Sequence, residues 1–137
     1  MNKQGFTLIE LIMVIVILGI LAIVAVPQFF NLGTRASAAS ESGVVGGVRA
    51  GIMTYHANQQ PPAYPATLDG VADDTDCGQG VAACFTTILS QGGITETNAS
   101  NQWHKTDDTE YTHSDGTTTH TYTYTSGSGS FLCTTGC

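Results

Sequence analysis

At 137 residues the chain has room for one domain, and its four Lys+Arg stand against eleven Asp+Glu for a formal net charge of -7. The basic residues Lys3, Arg35, Arg49 and Lys105 are scattered, so there is no basic stripe of the kind a nucleic-acid binder presents. No Ser/His/Asp or Cys/His spacing and no phosphate-binding loop stands out, so the chain does not read as an enzyme and implies no cofactor.

The N-terminus reads MNKQGFTLIELIMVIVILGILAIVAVPQFF. Leu8 to Val26 is apolar apart from Glu10, and at about 1.5 Å per residue it is close to the thickness of a bilayer core. An isolated carboxylate in hydrocarbon is costly, so Glu10 calls for a partner. No small-residue cleavage site follows the run, where Val26-Pro27-Gln28-Phe29-Phe30 is bulky. Processing is therefore expected on the N-terminal side, which leaves the apolar helix on the mature chain.

A short leader ending in Gly5, then Phe6-Thr7-Leu8-Ile9-Glu10, then an apolar run to Pro27 resembles the N-terminus of type IV pilins and secretion pseudopilins. The resemblance covers about the first 30 residues. It implies cleavage after Gly5 by a prepilin peptidase, removing residues 1–5, and N-methylation of Phe6. It also implies that Glu10 neutralises the Phe6 amine of a neighbouring subunit in a filament. A carboxylate facing an ammonium in a low-dielectric core can stay ionised, and the match would set axial register. Further implications are single-pass anchoring in the inner membrane with the head in the periplasm, then assembly on an inner-membrane platform into a helical homo-oligomer. Adhesion, motility and DNA uptake are the functions of pilus subunits. The alternative is a type II secretion pseudopilin, whose major forms are often cysteine-poor and bind calcium. A membrane protein that never polymerises would not need the Gly5-Phe6 junction.

Gly19 and Pro27 mark the weakest stretch of the helix, because Pro27 lacks a backbone donor and crowds the Ile23 carbonyl. A kink there, with local loss of helix in a filament, is one reading, and a fixed bend is the other. Helix should continue beyond Pro27, since Val44, Val48, Ile52 and Tyr55 fall on one face, with Arg35, Ser37, Glu41, Ser42 and Arg49 opposite. Gly43, Gly46, Gly47 and Gly51 read as the place where a sheet approaches the helix, and Pro61-Pro62 closes it. The stalk thus divides into a membrane or filament-core half over 6–30 and an amphipathic half over 31–60.

A head over 61–137 follows. Tyr64-Pro65-Ala66-Thr67-Leu68 looks like a segment often found after the stalk in this family. Val81, Cys84, Phe85, Ile88 and Leu89 predict a short helix over 81–91, stopped by Gly92-Gly93. Asp69, Asp73, Asp74 and Asp76 form a small acidic cluster before Cys77, with Asp73, Asp74 and Asp76 as the candidate ligands. Calcium is conceivable there, but the Asp-x-Asp-x-Asp-Gly loop is absent, and a solvated acidic loop is the commoner outcome. Asn98 lies in Glu96-Thr97-Asn98-Ala99-Ser100, an extended bacterial N-glycosylation sequon.

TEYTHSDGTTTHTYTYT predicts a hairpin pivoting on Asp115-Gly116, within an antiparallel sheet near 108–134. A two-residue turn pairs Ser114 with Thr117, so that Tyr111 faces His120 and Thr109 faces Tyr122. One face then carries Tyr111, His113, His120, Tyr122 and Tyr124, and the other is threonine-rich. His113 and His120 read either as a metal pair or, preferably, as rings packed among tyrosines. Four cysteines in an exported chain favour disulfides over zinc. Of three possible pairings the local one, Cys77–Cys84 with Cys133–Cys137, is preferred. The expected fold class is α+β, a long N-terminal stalk helix with a small head whose short antiparallel sheet packs on the helix.

Overall fold

The computed structural model describes residues 5–78, 82–95 and 101–137, with only the backbone of Phe30 and Asn31. Leader residues 1–4, Val81 and the Asn98 sequon lie outside the described residues. Among the described residues one helix, α1 (Leu8–Asn58), is followed by five strands: β1 (Thr75–Asp76), β2 (Gln102–Lys105), β3 (Glu110–Ser114), β4 (Thr119–Thr125) and β5 (Ser130–Thr135). The fold is α+β. The chain divides into two compact units, Met1–Ala36 and Ser37–Cys137.

The first unit carries the apolar part of α1. Its large side chains are exposed all round, and the 18-residue window apolar enough to cross a membrane is 0% buried. A helix that is apolar on every face suits hydrocarbon or a helix bundle rather than water. The helix runs through both Gly19 and Pro27.

In the second unit, α1 contributes Val45, Val48 and Ile52 to a core with Leu68, Phe85, Trp103, Tyr111, Tyr122, Tyr124 and Phe131. The five strands form one antiparallel sheet in the order β1-β2-β3-β4-β5. Alternation along β3 and β4 puts tyrosines inward and threonines outward, the pattern of a sheet with one covered face. The rings pack closely, with Phe85 4.6 Å from Tyr111 and Tyr122 stacked on Phe131 at 5.3 Å between centroids. The Tyr124 hydroxyl donates to the Pro65 carbonyl at 2.6 Å, tying the YP-x-x-L segment to the sheet.

Three expectations are corrected. Hairpin register is shifted by two: Ser114 pairs with Thr119, His113 with His120 and Tyr111 with Tyr122. Asp115 is the reason. Its Oδ1 accepts the N–H groups of Thr117 and Thr118 at 2.7 and 2.6 Å, so residues 115–118 all belong to the turn. An even shift leaves every side chain on its expected face.

The helix expected over 81–91 is instead a turn at Phe85–Ile88 within the described residues. Cys84 and Ile94 exchange backbone hydrogen bonds of 3.1 and 2.8 Å, and the Phe85 N–H is taken by Asp69 Oδ2 at 3.0 Å. Phe85 itself has φ 63°. These partners outweigh the helical periodicity of the apolar residues.

The helix glycines do not meet the sheet. Gly43 and Gly46 face open space, whereas a Cβ on Gly51 would lie 2.5 Å from the Ile88 carbonyl oxygen. Thus the 85–88 turn, not a strand, uses the gap.

Candidate processing and assembly site

Thr7 and Glu10 open α1 as a reciprocal cap. The Thr7 N–H and hydroxyl both donate to Glu10 Oε2 at 2.8 Å, and the Glu10 N–H reaches Thr7 Oγ1 at 3.4 Å. Thr-x-x-Glu at a helix start satisfies two otherwise orphaned donors in this way. Both side-chain bonds use Oε2, and Oε1 accepts none among the described residues. Gly5 and Phe6 precede the helix outside any regular element, and Phe6 is 90% exposed. The structure therefore sets Gly5, Phe6 and Glu10 within one short, accessible segment at the head of an exposed apolar helix.

The disulfides are Cys77–Cys84 and Cys133–Cys137, with Cα separations of 5.3 and 6.1 Å. The first is fully buried and fixes β1 to the turn beside Phe85. The acidic side chains face basic neighbours. Asp73 approaches Lys105 Nζ at 3.4 Å, while Asp74 and Asp76 approach the His104 ring at 3.3 and 2.8 Å.

Two buried polar clusters escaped the sequence reading. Lys105 is 1% exposed, and its ammonium donates to the Val71 carbonyl at 2.6 Å and to Asp108 at 2.8 Å, with Asp69 at 3.3 Å. Burial works against this charge, but the Asp108 hydrogen bond and the Asp69 charge outweigh it and raise Lys105 above its ordinary value. Asp69, 2% exposed, also receives the Tyr111 hydroxyl at 2.9 Å. Burial, then the Asp69 charge, push the Tyr111 phenol far up.

The second cluster centres on Glu41, expected on the solvent side of α1 but only 5% exposed. It takes the Tyr122 hydroxyl at 2.7 Å and His120 Nδ1 at 2.6 Å. The signal was present: Glu41 is in helical phase with the buried Val45, Val48 and Ile52.

An α1 that is apolar for its first part, capped at Glu10 and joined to a disulfide-braced antiparallel head, defines a pilin-like structural subunit. Residues 1–26 match the prokaryotic N-terminal methylation motif. The chain is 36% identical over 110 residues to the type IV narrow pilus major component of Thermus thermophilus, covering 71% of this chain and 95% of that protein. It is 38% identical over 74 residues to a fimbrial protein of Neisseria meningitidis, and 38% over 70 residues to type II secretion system core protein G of Pseudomonas aeruginosa. These two alignments cover 54% and 51% of this chain but only 44% and 48% of those relatives. No solved structure matches. The chain belongs to the type IV pilin family and is a structural protein, not an enzyme.

Proposed function

We propose that this chain is the building subunit of a type IV pilus. In this reading a prepilin peptidase cleaves after Gly5 and the new Phe6 amine is methylated. The apolar part of α1 holds the precursor in the inner membrane with the head in the periplasm. Subunits then pass through an inner-membrane assembly platform into a helical homo-oligomer, with the apolar helices as its core. The observation that carries the proposal is the alignment that spans 95% of a pilus major component and 71% of this chain. A pseudopilin of a secretion system is the second reading, favoured by the likeness to core protein G.

The Glu10 geometry supports a role in assembly. With Oε2 held by Thr7, Oε1 can accept the ammonium of Phe6 from a neighbour without breaking the cap. Gly19 and Pro27 supply the stretch where α1 can bend or lose helix as subunits pack.

Glu10→Ala and Glu10→Gln test the assembly role. Each variant, as the sole subunit, should still be cleaved and membrane-held but should form few or no filaments by electron microscopy. Removing one partner of a buried charge pair costs on the order of 3–5 kcal/mol. Normal filament number and length would remove Glu10 from assembly. Deleting the gene separates the two readings: loss of surface filaments supports the pilus, and loss of protein secretion with filaments retained supports the pseudopilus.

A further inference from the structure

Glu41, His113 and His120 offer three ligand atoms that all lie within 4.8 Å of one another. Glu41 comes from α1 and the two histidines from directly paired positions of β3 and β4. His120 Nδ1 is 2.6 Å from Glu41 Oε1, and His113 Nδ1 is 3.5 Å from Glu41 Oε2. We propose that these three side chains form a binding site for a zinc-class divalent ion, which fastens the β3–β4 hairpin to the helix.

The donor set is two imidazole nitrogens and one carboxylate oxygen, a combination that suits zinc and its neighbours rather than calcium. Zinc bonds of about 2.0–2.1 Å in tetrahedral geometry set ligand atoms roughly 3.3 Å apart. The Glu41–His113 separation is already close to that, and the Glu41–His120 separation is shorter.

The surroundings orient the ligands. His113 Nε2 lies 3.0 Å from Asn101 Oδ1, which also accepts the Ser37 hydroxyl at 2.6 Å. An Nε2–H donated to that oxygen fixes the tautomer that turns an Nδ1 lone pair toward Glu41, as supporting hydrogen bonds do for metal-bound histidines. The Tyr122 hydroxyl donates to Glu41 Oε1, the oxygen that His120 Nδ1 approaches, while Oε2 lies toward His113. Trp103 packs on the His113 ring at 5.0 Å. His113 and Glu41 are buried and the His120 side chain is 23% exposed, so an ion enters past His120 and can keep a water as fourth ligand.

Sequence spacing alone could pair the two histidines but could not supply the carboxylate, which lies 79 residues from His120.

The test uses the untagged full chain in detergent, equilibrated with Zn²⁺ alone and freed of excess by gel filtration. Mass-spectrometric metal analysis should find one zinc per chain, and competition with a chromogenic chelator gives the affinity. His120→Gln and Glu41→Gln should each weaken zinc by more than the roughly 10–100-fold that loss of a supporting group costs. His104→Gln, which removes the ring beside Asp74 and Asp76, should leave affinity unchanged. X-ray absorption of the wild-type complex, which needs no variant to fold, should show two imidazole ligands. The proposal is overturned if the wild type retains no zinc, if either ligand variant binds as tightly as wild type, if His104→Gln abolishes binding, or if the absorption spectrum lacks imidazole.

Discussion

Asp69 joins three parts of the head through one buried carboxylate: the Tyr111 hydroxyl, the Phe85 N–H and the Lys105 ammonium. Asp69→Ala would leave Lys105 buried with fewer counter-charges and orphan the other two donors. Loss of one partner of a buried pair costs about 3–5 kcal/mol, and denaturant unfolding followed by Trp103 fluorescence should show a loss of that size. A change near zero would mean that water or Asp108 replaces the carboxylate fully. Acid should expose a different set of residues. Backbone N–H donors from Thr109 and the Thr109 hydroxyl lower Asp107, and N–H donors from Thr118 and Thr117 lower Asp115. A carboxylate whose folded pKa lies below its unfolded value contributes stability that is fully present above that value and lost as pH falls toward the folded one. Head stability should therefore decline as pH drops below about 4, and Asp115→Ala should flatten part of that decline in melts taken across pH. An unchanged profile would show that Asp115 binds its turn equally well in the unfolded chain.

Helix α1 shows how one element meets two environments through glycine. Gly51→Ala gains helix propensity of about 1 kcal/mol but drives a methyl into the Ile88 carbonyl, and overpacking of this kind costs about 1–3 kcal/mol. Gly46→Ala meets nothing within 4 Å, so it should stabilise the monomeric chain by about 0.5–1 kcal/mol. Thermal melts of the two variants should move in opposite directions, and equal shifts would contradict the contact with the 85–88 turn. The hairpin illustrates what was legible in sequence. Alternation of tyrosine and threonine located both strands and their buried face, because period-two patterning survives an even register shift. The register itself was not legible, since it depends on whether the Asp115 side chain captures the following N–H groups. Strand β2 went unread because QWHK buries a lysine, and a charge inside a strand becomes intelligible only beside Asp69 and Asp108. The 81–91 segment misled for a related reason. Its apolar residues have helical spacing, but the Cys84 and Phe85 backbone is claimed by Ile94 and Asp69 and Cys84 is tied to Cys77, all partners outside the segment.

At the scale of the whole molecule, a small head is braced by covalent links as well as by its aromatic core. Replacing Cys77 and Cys84 together by serine should cost about 2–5 kcal/mol, because the link is buried and its removal frees the unfolded chain. The Cys133–Cys137 loop is shorter and ends in exposed chain, so its removal should cost less, by roughly half a kcal/mol on loop length alone. Unfolding of the two double variants should rank in that order. The N-terminal methylation motif was the most legible part in sequence, since it is a short linear segment whose recognition needs no tertiary partner. The head was less so, because its polar clusters join His120 to Glu41 and Lys105 to Asp69, partners far apart in sequence. The most direct test of a processed pilus subunit is the intact mass of the protein sheared from the surface of its native cells. The expected species begins at Phe6, with one methyl group on the Phe6 amine, and carries two disulfides. A chain absent from the sheared filaments, or one beginning beyond Val26, would contradict it.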